Sequence, residues 1–226
     1  MKKVWFTADT HFGHKRIPFY TKRKFCLTQQ ENETMDAIYQ NKNFRSTWSP
    51  SWESIARMDE YLLEKINSFV GKDDILWHLG DFCFGRRNER EKVARQYRGR
   101  IDCRNVFLIM GNHDSPEIKP VFDESHQTCE VKVNSKSIVL SHYAHAFWNK
   151  SHNKSWMLYG HAHGTAEDWL DTHMPGRLSM DVGVDNVFKI LGEYRPISFD
   201  EISDVFSQRN GHIVDQARAI VKKGPS

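Results

Sequence analysis

Short apolar runs, each followed at once by polar residues, recur along this chain. Five of them are rich in Val, Ile, Leu, Phe and Trp: "VWFTADTH", "DILWHLGD", "VFLIMGNHD", "SIVLSH" and "WMLYGHAH". Continuous apolar runs of strand length are typical of buried strands in a layered α/β domain. The pattern therefore predicts an α/β fold in which buried strands end repeatedly on Asp, Asn or His.

Helical periodicity lies between these runs. The stretch "SWESIARMDEYLLEKINSFVG" carries apolar residues at steps of three and four: Ile55, Met58, Leu62, Ile66 and Phe69. This spacing predicts a helix, with Ser49-Pro50 as its capping pair. Further helices are predicted over 86–99, from near Asp200 and from about Ile213.

Residues 15–52 do not follow this alternation of apolar runs and helical segments. The segment is basic at first and then acidic, and it contains seven aromatic residues. A compact domain rarely carries so long a connection without a purpose. We interpret it as an insert within a single domain over 1–226, with a short helix in "ENETMDAIYQ". Two interpretations stay open, a lid beside the ligand site or a peripheral packing element.

The polar residues that follow the strands form a set with a definite chemistry. In α/β sheets, ligand sites form beyond the carboxyl ends of the strands. The set is Asp9, His11, Asp81, Asn112, His142, His161 and His163. Carboxylate, imidazole and amide donors without a thiolate suit Mn²⁺, Fe²⁺ or Zn²⁺. Two ions that share a bridging carboxylate would use the whole set.

Composition and charge exclude several classes of protein. The chain has 226 residues, of which 39% are hydrophobic and 27% charged, as in ordinary globular domains. A net charge of +3 gives little support for a dedicated nucleic-acid binder or nuclease. No apolar run reaches the length of a signal-peptide core or a membrane span, so no membrane partner is expected. Four widely spaced cysteines suggest reduced thiols and a cytoplasmic location.

The order of the motifs resembles that of the calcineurin-like metallophosphoesterases. "DTH", "GD", "GNHD", a lone His after an apolar strand, and "GHAH" follow one another between Asp9 and His163. The opening "FTADTHFGH" and the later "SMDVGVDN" are similar to small prokaryotic and phage-type members. The resemblance implies a four-layer αββα sandwich, with the insert after the first strand, and a dinuclear centre that hydrolyses phosphate esters.

The resemblance also implies a role for each residue of the set. The first ion would be held by Asp9, His11 and His163, the second by Asn112, His142 and His161, and Asp81 would bridge them. A hydroxide held between the ions would attack phosphorus. His113 would protonate the leaving oxygen, and Asp114 would hydrogen-bond its imidazole and favour its charged form. Mn²⁺ is the expected metal, with Fe, Zn, Ni and Co as alternatives.

The sequence departs from the protein-phosphatase branch of the family after Asp81. That branch follows its "GD" with Asp-Arg-Gly, whereas this chain has "GDFCFGRR", with Phe84 in the place of the aspartate. A protein phosphatase is therefore disfavoured. Candidate substrate contacts are His14, Arg86 and Arg87, and the basic clusters Lys15–Arg16 and Lys22–Lys24 are alternatives for the phosphate clamp.

Two further groups of polar residues receive structural interpretations. His78 alternates away from Asp81 along its strand and is expected in the core. Asp181 and Asp185 in "MDVGVDN" are expected to form a turn that supports the site.

Phosphodiesters are the favoured substrates. The aromatic and basic composition of residues 15–52 suits a nucleotide or a short single strand, through stacking and charge. A phosphomonoesterase or a nucleotide pyrophosphatase is the alternative enzyme. A non-catalytic scaffold of the same fold is the alternative from another class, although such proteins usually lose ligands and here each position is filled. The sequence does not point to any protein partner.

Overall fold

A computed structural model describes residues 2–43 and 45–209, and within them the chain is a mixed α/β protein. Its strands are β1 (Val4–Thr7), β2 (Ile75–His78), β3 (Asn105–Ile109), β4 (Ser125–His126), β5 (Thr128–Val133), β6 (Lys136–Ser141), β7 (Trp156–Tyr159), β8 (Ser179–Asp181) and β9 (Ile197–Ser198). Its α-helices are α1 (Ile17–Thr21), α2 (Gln29–Gln40), α3 (Trp52–Phe69), α4 (Arg90–Arg98), α5 (Glu167–His173), α6 (Val184–Leu191) and α7 (Phe199–Ser207). The five apolar runs supply β1, β2, β3, β6 and β7, as the sequence predicts.

The strands form two sheets. The first has the order β4-β3-β2-β1-β9, and the second has the order β5-β6-β7-β8. Within the first sheet β1 to β4 are parallel, and within the second β6 to β8 are parallel. The carboxyl ends of the parallel strands therefore lie at one edge of each sheet, where the polar residues that follow them can meet.

Strand alternation divides the apolar side chains between the faces of the sheets. One face of each sheet contributes to a shared core that includes Phe6, Ile109, Leu140 and Leu158. The opposite face of the first sheet packs against α3. On the outer face of the second sheet, Leu170 of α5 packs against a small cluster of buried residues. Two sheets flanked by helices confirm the expected α/β sandwich.

The predicted helices exist, with corrected boundaries. The N-cap of α3 is Ser51, whose hydroxyl accepts a hydrogen bond from the Ser54 N–H, and Ser49-Pro50 precedes the helix without capping it. Helix α4 begins only at Arg90, because Glu89 N–H donates to the Arg86 carbonyl and closes a turn there. The helix predicted from Ile213 lies outside the described residues. None of the described helices is long and apolar enough to cross a membrane.

Residues 15–52 carry α1 and α2 and pack closely against the rest of the molecule. Phe19 and Met35 are buried in the same cluster as Met58 of α3. Most of the described aromatic side chains of the segment pack against this cluster. Tyr20 and Trp52 are instead exposed. The packing explains the aromatic composition, and the interpretation of the segment as a lid stays a prediction.

His78 lies in the core, as its position in the strand predicts. Its side chain is buried, and its Nε2 is 2.9 Å from the Thr10 hydroxyl. Because that hydroxyl donates its own proton to the Phe82 carbonyl, Nε2–H must donate to it. Burial lowers the pKa of His78 to about 3 and outweighs the attraction of Asp81. The fold therefore requires the neutral ring.

We expect His78 to destabilise the fold as the pH falls. Unfolded histidine takes up a proton below about pH 6.5, whereas the buried ring does not. The neutral ring of His78 therefore stabilises the fold at neutral pH, and this stabilisation is lost as the pH falls toward the folded pKa of about 3. Between pH 7.5 and 5 the loss is about 2 kcal/mol relative to His78→Gln. Urea unfolding of both proteins in EDTA measures this difference. Parallel pH profiles of the two proteins would contradict the assignment.

Candidate metal centre

The structure brings the predicted residues together beyond the carboxyl ends of β1, β2, β3, β6 and β7. Two groups of possible ligand atoms form, each with its atoms within 4.8 Å of one another. The groups are Asp9, His11 and His163, and Asp81, His142 and His161. The division of "GHAH" between two groups is the division that the resemblance implies, because His161 and His163 belong to different ones.

Asp81 belongs to the second group and also lies close to the first. Its Oδ2 is 3.6 Å from His11 Nε2 in one group and 3.4 Å from His142 Nε2 in the other. Asn112 lies against the second group, with its Oδ1 3.0 Å from His142 Nε2 and 2.9 Å from His161 Nδ1. Asp81 is therefore within 4 Å of a histidine of each group.

The backbone at this site adopts a conformation that most residues avoid. Five of the predicted ligands have a positive φ: Asp9 (57°), His11 (49°), Asp81 (56°), His161 (69°) and His163 (49°). For a non-glycine residue this conformation costs about 1–3 kcal/mol, and it concentrates at functional sites. Gly80 permits the close approach beside Asp81, since a Cβ there would lie 2.5 Å from His142 Nδ1. The fold therefore holds the backbone of these residues in a strained conformation that directs their side chains toward the site.

The buried atoms of the first group fit a divalent cation. Asp9 Oδ1 and both ring nitrogens of His11 are buried without a hydrogen-bond partner among the described residues. Burial, together with the nearby Asp181 and Asp81 carboxylates, raises the pKa of Asp9 well above its usual value. Burial also lowers the pKa of His11 well below its usual value, which favours the neutral ring that a metal requires. A cation would satisfy these atoms and the excess negative charge together.

Contacts behind the imidazoles fix their orientation. His142 Nδ1–H donates to the Leu79 carbonyl at 2.8 Å, which leaves Nε2 directed toward Asp81. His163 Nδ1 is 2.6 Å from Asp185 Oδ2, so its Nε2 is the nitrogen available to a ligand. Such partners fix the tautomer of a metal-binding histidine.

Arg23 and Asp185 form a buried pair that sequence reasoning did not anticipate. The guanidinium donates to both carboxylate oxygens of Asp185, from Nε at 2.8 Å and Nη2 at 2.7 Å, and also to the carbonyls of Asp9 and Thr10. Burial acts to raise the pKa of Asp185, but Arg23 holds it down to about 2. Arg23 is therefore committed to the interior, which corrects its inclusion among candidate phosphate clamps. Asp185 contacts His163, which is the position that its expected supporting role requires.

His113 and Asp114 are arranged differently from the expectation. His113 lines the cavity beside the metal groups, with its ring centroid 5.6 Å from that of His11. The Asp114 carboxylate accepts hydrogen bonds from the backbone N–H groups of Asp81, Phe82 and Gly111. No hydrogen bond joins Asp114 to the His113 ring within the described chain. Asp114 fixes the loop that carries Asp81, because three backbone donors already occupy it.

The candidate substrate contacts separate into two kinds. His14 lines the cavity, its ring centroid is 4.0 Å from that of Phe84, and burial lowers its pKa to about 4. Arg86 and Arg87 are exposed and do not line this cavity. The geometry therefore favours His14 as a neutral contact and does not support the two arginines as a phosphate clamp.

The two-sheet fold and its paired histidine and aspartate groups define a metal-binding α/β protein with its site at the strand ends. The family model described as calcineurin-like phosphoesterase matches residues 2–210. The chain belongs to this family, and it is accordingly a metal-dependent phosphoesterase.

Similar proteins come from an archaeon, a phage and a bacterium. The chain is 26% identical over 202 residues to an uncharacterized protein of Methanocaldococcus jannaschii, covering 89% of this chain and 90% of the relative. It is 24% identical over 234 residues to the gene 66 protein of Mycobacterium phage L5, covering 91% and 94% of the two chains. The crystal structure of a protein of unknown function from Aquifex aeolicus matches with a TM-score of 0.56 at 20% identity, over 91% of this chain and 100% of that chain. This structural likeness shows a common fold.

Asp185→Asn tests the support behind His163. The amide keeps the shape of the side chain but loses the negative charge that faces His163 and Arg23. We therefore expect the affinity for Mn²⁺ to fall about 10–100-fold at one site. Isothermal titration of metal-free protein measures the change. Asp102→Asn, at an exposed aspartate, is the matched control and should bind like the wild type. Equal affinities of Asp185→Asn and Asp102→Asn would show that this carboxylate does not support a ligand.

Proposed function

We propose that this protein is a dinuclear metal-dependent phosphodiesterase. The observation that carries the proposal is the position of Asp81 beside both donor groups: its Oδ2 lies 3.6 Å from His11 Nε2 of the first group and 3.4 Å from His142 Nε2 of the second. One ion would be held by Asp9, His11 and His163, and the other by Asn112, His142 and His161.

The donor set supports Mn²⁺ as the metal. Oxygen and imidazole donors without thiolates suit borderline-to-hard divalent ions, and Fe, Zn, Ni and Co remain alternatives. When bound, two such ions neutralise phosphate charge and lower the pKa of an attacking water. The protein contributes orientation, because the strained backbone and the contacts behind His142 and His163 fix the ligands before substrate arrives.

His113 is suited to be the general acid. Its backbone N–H donates to Asp81 Oδ1 at 2.9 Å, which anchors the residue beside the candidate bridging carboxylate. Its ring lines the cavity and belongs to neither donor group, so a ring nitrogen is available to carry a proton. Donation of that proton to the leaving oxygen would contribute about 10²–10⁴-fold to the rate.

The surroundings of His113 support diesters over monoesters. Phe84 is 37% exposed, and its ring centroid lies 5.1 Å from that of His113. An apolar ring near the reacting phosphate offers no counter-charge for the second negative charge of a monoester. No arginine lines the described cavity, so it lacks the bidentate clamp that would favour a dianion.

A metal-reconstituted substrate panel tests this function. With Mn²⁺, we expect hydrolysis of bis(p-nitrophenyl) phosphate and of a 2′,3′- or 3′,5′-cyclic nucleotide to exceed that of p-nitrophenyl phosphate. Faster hydrolysis of the monoester, or of a dinucleotide pyrophosphate, would assign the protein to one of those activities instead. Absence of turnover on every substrate would favour a non-catalytic role.

His113→Ala tests the general acid through the leaving group. An alkoxide leaves only with a proton, whereas p-nitrophenolate leaves without one. We therefore expect a loss of about 10²–10⁴-fold on the cyclic nucleotide and a much smaller loss on the aryl diester. His173→Ala, at an exposed histidine outside the cavity lining, is the control. Equal losses on both substrates would show that His113 has another role.

A further inference from the structure

The cavity at the metal groups is larger than a phosphate ester requires. Its volume is about 1070 Å³, at the upper end of the range for sites of small organic ligands. The metal groups and His113 occupy only part of its lining. The remaining lining must therefore face the part of the substrate that does not react.

Two walls of different origin make up this remaining lining. One wall comes from α1 and the residue that follows it and includes Tyr20 and Lys22, and the other comes from α6 and includes Phe188 and Lys189. Tyr20 is 52% exposed and Phe188 is 41% exposed, although both are large apolar side chains. Exposed aromatic rings that line a catalytic cavity indicate a surface for a planar ligand.

Each ring is supported from behind. Phe188 stacks on the buried Tyr194, with ring centroids 4.2 Å apart and planes 9° from parallel. Tyr194 in turn packs against Phe25, so residues 15–52 support the α6 wall through Tyr194. The Arg16 guanidinium lies 4.8 Å from the centre of the Tyr20 ring. The rings are therefore held in place before any ligand binds.

Each aromatic residue also has a lysine close by in sequence. Lys189 follows Phe188, and its Nζ donates to the Gly164 carbonyl at 2.9 Å, next to the ligand His163. Lys22 lies two residues after Tyr20 and lines the same cavity. A stacking surface combined with ammonium groups is the combination by which proteins hold nucleotides without reading the base sequence.

We infer that Tyr20 and Phe188, together with Lys22 and Lys189, form the binding surface for a nucleoside group of the substrate. The inference rests on the proposed phosphodiesterase function and names its substrate class as a nucleotide diester. The base stacks on the aromatic rings, the lysines face the negative charge of the nucleotide, and the reacting phosphorus lies at the metal groups.

Two esters with the same leaving group test this inference. Thymidine 5′-(p-nitrophenyl phosphate) and methyl p-nitrophenyl phosphate differ only in the group that should meet the aromatic surface. With Mn²⁺, the wild type is expected to have a kcat/KM about tenfold or more higher on the thymidine ester, as expected from the stacking of one base. Phe188→Leu and Tyr20→Leu should each remove most of that advantage and change the methyl ester less than about twofold.

Equilibrium binding supplies a second readout that needs neither metal nor turnover. Thymidine 5′-monophosphate is titrated into metal-free wild type, Phe188→Leu and Tyr20→Leu, and the variants should bind about tenfold more weakly. Trp169→Leu is the matched control, because Trp169 is 61% exposed but does not line the cavity. Thermal unfolding of each variant confirms that it is folded.

The two readouts separate the inference from the function on which it rests. Hydrolysis of both esters at equal rates, with thymidine 5′-monophosphate bound equally by wild type and variants, would overturn the nucleoside surface and leave the phosphodiesterase intact. Hydrolysis of neither ester by the wild type, with binding still lost in Phe188→Leu, would overturn the phosphodiesterase and retain the surface.

Discussion

Buried negative charge is the constraint on which this site depends. Asp9, Asp81, Asp181 and Asp185 all lie buried near one another, and carboxylates so placed repel. The protein compensates some of them: Arg23 pairs with Asp185, and the N–H groups of Gly164 and Gly183 donate to Asp181. Asp9 Oδ1 has no such partner among the described residues. Asp9 Oδ1 lies 3.9 Å from Nε2 of His11, whose neutral form burial favours, and this combination favours the binding of a divalent cation.

The fold provides this arrangement by joining two parallel-stranded edges. Asp9, Asp81 and Asn112 follow strands of the first sheet, whereas His142, His161 and His163 follow strands of the second. Neither sheet alone carries a complete set, so the apolar core between the sheets holds the site together. Residues 15–52 contribute from outside the sheets, because Arg23 reaches Asp185 and donates to the Asp9 carbonyl.

The strands and the candidate ligand set could be predicted because both are local patterns. A buried strand is a run of apolar residues, and a polar residue at its carboxyl end is visible in the sequence itself. The order of the motifs then predicted that His161 and His163 belong to different groups. Their shared direction on an extended strand had suggested a single ion. Arg23 was not predictable as the partner of Asp185, since 162 residues separate the two. Tyr20 belongs to the aromatic segment 15–52, but the sequence could not single it out, and Phe188 carried no signal, because exposure at a cavity depends on tertiary packing.

The account depends most directly on two metal ions that share Asp81. Electron paramagnetic resonance during titration of the metal-free protein with Mn²⁺ tests this, because ions joined by a bridging carboxylate are spin-coupled. The account predicts two ions per chain with a coupled spectrum in the wild type, and loss of the coupling in Asp81→Asn. A single uncoupled ion per chain, or a coupled spectrum that survives Asp81→Asn unchanged, would contradict it.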